Sequence, residues 1–322
     1  MQSRFENLGT LEYLDMANIS AASYFGIYLM FLGKWGAKMR RKYPHAIVIV
    51  TLACNLKCKN CILCAPYYRK PFYPSLDYIM ETAERAFKLG DYEIFEYMGG
   101  EPFLRDDFAE IWRYNREYFF DHADIFKTAT NGSVPVSDEL IDVWRTYGEK
   151  IHIIVDNYGP ELSPEAVRNV ERLQAGGIDC ELRDMYSENR HHGGWVDFIA
   201  PKEPFRDIED AKKTYLNCGQ AQKLKNCCNI IDGLLMPCHM QFQLNDRGIV
   251  DAKAPEFEWQ CIDLFDDMES WDRKREKMDT YTDAERLPYL ESCRYCQCLS
   301  EDTPRLKPAE QGKSLDELAF RI

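Results

Sequence analysis

Ala46-Ile-Val-Ile-Val-Thr-Leu52-Ala-Cys54-Asn-Leu-Lys-Cys58-Lys-Asn-Cys61 decides how the rest of the chain is read. The run Ala46–Leu52 is short, apolar and β-branched, as a strand buried on both faces of a parallel sheet is. The spacing C-x3-C-x2-C then places three thiols on one short loop. Three thiolates hold three irons of a [4Fe–4S] cluster and leave the fourth open to a small ligand. With Cys64 as a fourth ligand, the same loop would instead make a closed ferredoxin-type cluster or a structural zinc site. Spacing alone leaves these readings level.

Downstream the chain alternates strand-like and helix-like pieces. Strands are expected at Tyr92–Met98, Ala123–Ala129, Lys150–Asp156 and Ile178–Asp184. Helices are expected at Ser75–Leu89, stopped by Gly90, and at Asp106–Tyr118. A third begins at the cap Ser137, with Leu140, Val143, Trp144 and Tyr147 on its apolar face. A fourth opens at Ser163-Pro164 and closes at Gly176-Gly177. This alternation predicts βαβ units and a parallel sheet or barrel, with the active site at the carboxyl ends of the strands. The alternation stops near residue 185. We expect an N-terminal helical segment (1–45), a barrel domain (46–210) and a cysteine-rich C-terminal domain (211–322).

Gly99-Gly100-Glu101-Pro102 stands directly after the second strand. With Cys54, Cys58 and Cys61 one βα unit earlier, the chain resembles the radical S-adenosylmethionine (radical SAM) superfamily. That resemblance covers roughly residues 46–185 and implies a partial (β/α)6 barrel. It implies a [4Fe–4S] cluster on Cys54, Cys58 and Cys61 that binds SAM through its open iron. One electron, from a donor such as flavodoxin or ferredoxin, then cleaves SAM to a 5′-deoxyadenosyl radical, which takes a hydrogen atom from substrate. Glycines at 99 and 100 would let the backbone approach the methionine part of SAM, and Glu101 would meet its ammonium group. Thr130-Asn131-Gly132 and Asp156 close the third and fourth strands, where the family places polar groups on SAM. Each is equally ordinary turn chemistry. Where the family has an aromatic residue before the third cysteine, this chain has Asn60.

The C-terminal third holds a second cysteine set. Cys218 is followed by fourteen residues and then Gly233-Leu-Leu-Met-Pro-Cys238, and later by Cys293-Arg-Tyr-Cys296-Gln-Cys298. Four such thiolates suit zinc or a closed iron–sulfur site. The spacing resembles the SPASM/twitch extension of radical SAM enzymes, in its shorter, one-cluster form. That implies an auxiliary [4Fe–4S] cluster on Cys218, Cys238, Cys293 and Cys296, with Cys298 in reserve. Cys64, Cys180, Cys227, Cys228, Cys261 and Cys298 are then buried small hydrophobes, or one of them is a thiol that gives a hydrogen atom to a substrate radical.

Composition narrows the partners. A net charge of −13 over 322 residues argues against a nucleic-acid partner. Thirteen cysteines, clustered and with no visible secretory signal, suit metal binding in a reducing cytoplasm better than disulfides. The apolar stretch Ala21–Leu32 is too short to span a bilayer and reads as a helix packed on the main domain. The resemblance to twitch enzymes points to oxidation of a small polar metabolite, a sugar or aminocyclitol, by loss of an electron to the auxiliary cluster. Aminocyclitol dehydrogenases share that architecture. Arg183, at the end of the fifth strand, and His192, in a glycine-flanked loop, are the catalytic candidates; both also read as ordinary surface residues. The alternatives are maturation of a ribosomal peptide, and epimerisation with a cysteine as hydrogen donor.

Overall fold

The computed structural model describes residues 40–312, apart from 69, 225–226, 282 and 284. Of the expected N-terminal helical segment (1–45), residues 1–39, with Ala21–Leu32, lie outside them, and its last residues, from Lys42, belong to the first strand instead. Among the described residues no helix is long and apolar enough to cross a membrane.

Five parallel strands carry the first half: β1 (Lys42–Thr51), β2 (Asp91–Gly99), β3 (Ala123–Thr130), β4 (Ile151–Asn157) and β5 (Asp179–Asp184). Between them run α1 (Leu76–Leu89), α2 (Phe108–Tyr118), α3 (Asp138–Arg145) and α4 (Ala166–Ala175). These are the expected elements, each within a few residues. Ser75 and Ser137 cap their helices by accepting from the backbone N–H three residues on. Ser163 does not. Helix α4 starts at Ala166, and the Ser163 hydroxyl instead donates to the Asn131 carbonyl at 2.7 Å, joining the ends of β3 and β4.

The C-terminal third adds α5 (Ile208–Asn217), β6 (Cys228–Ile231), β7 (Leu234–Met236), α6 (His239–Asp246), β8 (Ile262–Asp263) and α7 (Trp271–Thr280). The sheet runs β5-β4-β3-β2-β1-β6-β7-β8. Strand β6 is a sixth parallel strand, but it pairs with the outer edge of β1 rather than following β5. The turn into β7 passes through Asp232 and Gly233, both at positive φ. The boundary expected at 210 falls inside α5, and the sheet continues unbroken through β1 and β6.

Strand alternation sorts the two faces. Ala46, Val48 and Val50 of β1 join Ile79, Phe95, Trp112, Phe126 and Trp144 in the main core, against the helices. Trp112 packs edge-on against Tyr97, Trp144 and Tyr147, with ring centroids 5.2–5.8 Å apart. Ile47 and Ile49 face the other way, into a second apolar cluster with Leu63, Cys64, Tyr68, Cys227 and Ile231.

Candidate functional site

The cysteine loop leaves β1 beside the ends of β2 and β3, and its fixing begins with Glu101. This side chain is fully buried. Its Oε1 accepts from Phe103 N at 3.0 Å and Thr130 Oγ1 at 2.9 Å, and its Oε2 accepts from Asn131 N at 2.7 Å. Burial lifts the carboxyl to about 7, against the pull of these three donors. Glu101 was expected to face the ammonium of SAM; here both its oxygens hold the ends of β2 and β3 together. The glycines have a matching role. A Cβ on Gly99 would sit 2.3 Å from the Thr51 carbonyl oxygen, and one on Gly100 would sit 2.3 Å from that of Ala53. Gly100 N and Glu101 N donate to these same two carbonyls at 2.8 and 2.9 Å. The space the glycines clear is filled by the root of the cysteine loop.

Asn131 carries the tie to the loop itself. Its Nδ2 donates to Asn55 Oδ1 at 3.1 Å and lies 3.7 Å from Cys54 Sγ. Asn55 Nδ2 in turn donates to Ser133 Oγ at 2.7 Å. Cys61 N donates to the Cys58 carbonyl and Cys64 N to that of Cys61, so the loop turns tightly through the three thiols. All thirteen cysteines are free thiols. Burial pushes Cys54 up to about 11 and Cys58 up to about 12, with the neighbouring cysteines adding to both. The donor set suits a cluster: three thiols that influence one another electrostatically, two of them facing side-chain N–H groups. Cys64 turns into the second apolar cluster at 1% exposure, as a small hydrophobe does. Among the described residues no three His, Cys, Asp or Glu side chains stand close enough to share a single ion.

The inner face of the parallel strands is charged. By register, Glu96 lies beside Lys127, Lys127 beside His152, Ile154 beside Glu181 and Asp156 beside Arg183. Glu96 is buried and takes its hydrogen bond from His45, Nε2 to Oε2 at 3.0 Å. The other ring nitrogen, Nδ1, stands 3.1 Å from Cys227 Sγ. Asp156 Oδ2 accepts from the Tyr158 hydroxyl at 3.3 Å, while its Oδ1 is buried with no hydrogen-bond partner among the described residues. Burial lifts Asp156 to about 6, against the pull of Arg183. Arg183 Nε donates to Glu181 Oε2 at 3.3 Å. Of the two catalytic candidates, Arg183 is therefore on this face beside Asp156. His192 is exposed, at positive φ, with its ring tilted against that of His191, centroids 4.0 Å apart. His45, Glu96 and Lys127 were not singled out from sequence. Their signal was a single charged or titratable residue set in the apolar middle of a strand, one on each of β1, β2 and β3.

The C-terminal thiols converge on one cavity. It is lined by Cys218, Cys238, Cys293, Cys296 and Cys298, with Tyr215 among the apolar walls. Cys298 Sγ donates to the Thr214 carbonyl at 3.5 Å, and the neighbouring Cys218 and Cys298 thiols act on one another, lowering Cys218 and raising Cys298. Cys227, Cys228 and Cys261 do not line that cavity.

A sequence model of the Radical SAM superfamily matches residues 48–180. No curated protein matches the chain. Among solved structures, anSMEcpe with bound AdoMet is 13% identical, covering 83% of this chain and 94% of that one at a TM-score of 0.47. SuiB of Streptococcus suis, bound to its precursor peptide SuiA, is 14% identical at a TM-score of 0.38, covering 58% of this chain and 43% of that one. The FeFe-hydrogenase maturase HydG from Carboxydothermus hydrogenoformans is 14% identical at 0.31, covering 44% and 36%. The chain thus spans less than half the length of SuiB and of HydG. A radical SAM domain takes a [4Fe–4S] cluster and SAM as cofactors, and this chain carries one, over residues 48–180.

Proposed function

We infer that the chain abstracts a hydrogen atom from a small polar metabolite, a sugar or aminocyclitol, and oxidises it. The observation that carries this reading is the charged inner face. Glu96, Lys127, Asp156, Glu181 and Arg183 lie on one face of the strands, and Asp156 Oδ1 there has no hydrogen-bond partner among the described residues, so a polar substrate suits this face better than an apolar one. A molecule with several hydroxyls and an amine would match both signs.

Cys54, Cys58 and Cys61 would hold the cluster, and its chemistry when bound with SAM is to supply a carbon radical able to break a C–H bond. The residues around it do the rest. Glu101, Thr130 and Asn131 fix the floor on which SAM would lie. Asp156 offers an open carboxylate oxygen held near neutral pH, suited to take the hydroxyl proton as a carbinol becomes a carbonyl. Arg183, beside it, would orient the substrate. Cys218, Cys238, Cys293 and Cys296 would hold an auxiliary cluster that accepts the electron; Cys298, in the same cavity and neighbouring Cys218, is the spare ligand. A one-electron donor such as flavodoxin or ferredoxin, in a reducing cytoplasm, would start the cycle.

The test uses sugars and aminocyclitols deuterated at each carbinol carbon, incubated with reduced enzyme and SAM. Deuterium in 5′-deoxyadenosine together with a carbonyl product is the expected result. Transfer from a peptide substrate only would overturn it.

One observation favours a second reading. The Cys227 thiol faces the His45 imidazole, which is backed by buried Glu96. Cys227 stands at the amino end of β6, so for a substrate that reaches down the inner face this thiol would return a hydrogen atom to the substrate radical, with the one-electron donor and a proton restoring it, and the outcome would be epimerisation. Solvent deuterium in the product, lost in Cys227→Ala while SAM cleavage continues, would decide for it.

A further inference from the structure

The segment from Arg305 to Gly312 leaves the C-terminal cysteine region and ends on the loop of Cys54, Cys58 and Cys61. It is anchored twice. Leu306 pairs with Trp195, each N–H donating to the other's carbonyl at 2.7 and 3.0 Å. Gly194 makes that approach possible, because a Cβ there would lie 2.5 Å from the Leu306 carbonyl oxygen. Further on, Gln311 pairs with Cys58 as an antiparallel bridge. Lys59 N donates to the Glu310 carbonyl at 2.8 Å and Gly312 N to that of Lys57 at 2.7 Å. Lys59 and Glu310 add an ion pair, and Ala309 packs on Leu56 and Cys58.

The Gln311 amide sits at the centre of this second anchor. Its Oε1 accepts from Lys57 N at 2.7 Å. Its Nε2 donates to the Ala309 carbonyl at 2.8 Å and to Cys58 Sγ at 3.5 Å. A backbone N–H can only donate, so the oxygen must face Lys57 and the amide nitrogen must face the sulfur. The amide orientation is fixed by its partners.

We propose that this strap positions Cys58 and that the Gln311 N–H on its sulfur raises the reduction potential of the cluster held by the loop. Reduction adds negative charge that spreads onto the ligating sulfurs. A donor on a sulfur therefore favours the reduced form more than the oxidised one. Gln311 is a positioning residue, 253 positions along the chain from the thiol it touches. The proposal rests on the cluster at Cys54, Cys58 and Cys61, and not on the choice of substrate.

The test is a redox titration of the anaerobically reconstituted full chain, followed by the electron paramagnetic resonance signal that changes when SAM is added. Gln311→Glu keeps the acceptor for Lys57 N and removes the donor to sulfur. Gln311→Leu removes both without adding charge. Each should bind its electron several-fold to about tenfold more weakly, a negative shift of up to ~59 mV for a one-electron couple. Gly194→Ala, which loosens the other anchor, should shift the signal the same way but less. Full iron content with an unmoved potential in both Gln311 variants would overturn the strap's role while leaving the cluster standing. A wild type with no SAM-responsive signal would overturn both. Loss of iron from Gln311→Leu, with Gln311→Glu loaded and unshifted, would reduce the strap to a brace and overturn its effect on potential.

Discussion

Cys54, Cys58 and Cys61 come from eight consecutive residues, whereas the thiols around the C-terminal cavity come from three stretches of chain spread over residues 218–298. The first set needs only a strand end and a tight loop, with Glu101, Asn131 and Gln311 as outside supports. The second exists only once α5, the β6–β7 hairpin and the last cysteines have met, so it carries the larger ordering cost. A three-thiol loop also leaves room for a ligand, while a five-thiol cavity has donors to spare. The two sets therefore differ in what they leave open as much as in how they are assembled.

The largest effect expected is at the first set. Alanine at Cys54, Cys58 and Cys61 together should abolish 5′-deoxyadenosine formation, measured by chromatography after reduction, and should leave about four irons in the second site. Alanine at Cys218, Cys293 and Cys296 should do the reverse: about four irons lost, SAM cleavage retained, and the oxidised product missing. Next comes Gly100→Ala. Its Cβ would meet the Ala53 carbonyl oxygen at 2.3 Å, backbone against backbone. Forcing that overlap costs about 1–3 kcal/mol and should displace the cysteine loop. Iron content at the first site should fall, while iron at the second does not.

The smallest effect is a pH dependence on the inner face. Asp156 holds its proton to about pH 6 when folded, against 3.8 as the ordinary value. A carboxyl with a raised folded pKa contributes most below its unfolded value, and that contribution is lost as pH rises through the folded one. Asp156→Asn should therefore raise the thermal midpoint at pH 8, by about 1–3 kcal/mol in stability, and do little by pH 4. Equal effects at both pH values would mean that the carboxylate is solvated.

Both thiol sets were legible in the sequence, because a cysteine carries its own chemical label; the contacts that hold the first set in place were not. Strand–helix alternation and a contiguous motif are local signals, and β1 to β5 follow them closely. Glu101 and Gly100 were singled out as contacts to SAM, and single-residue chemistry does not reveal that they also meet the Thr51 and Ala53 carbonyls and the Asn131 N–H. His45 and Glu96 meet only because register brings β1 and β2 side by side. Cys227 joins them because β6 lands on the outer edge of β1, and no local pattern announced that placement. Gln311 had no signal at all, since its meaning depends on a strap returning to Cys58.

The most direct measurement is iron per chain in the anaerobically reconstituted wild type, taken together with SAM cleavage on reduction. About eight irons with 5′-deoxyadenosine formed is the result expected for two four-iron clusters. About four irons with cleavage intact would contradict the second cluster and the oxidation built on it.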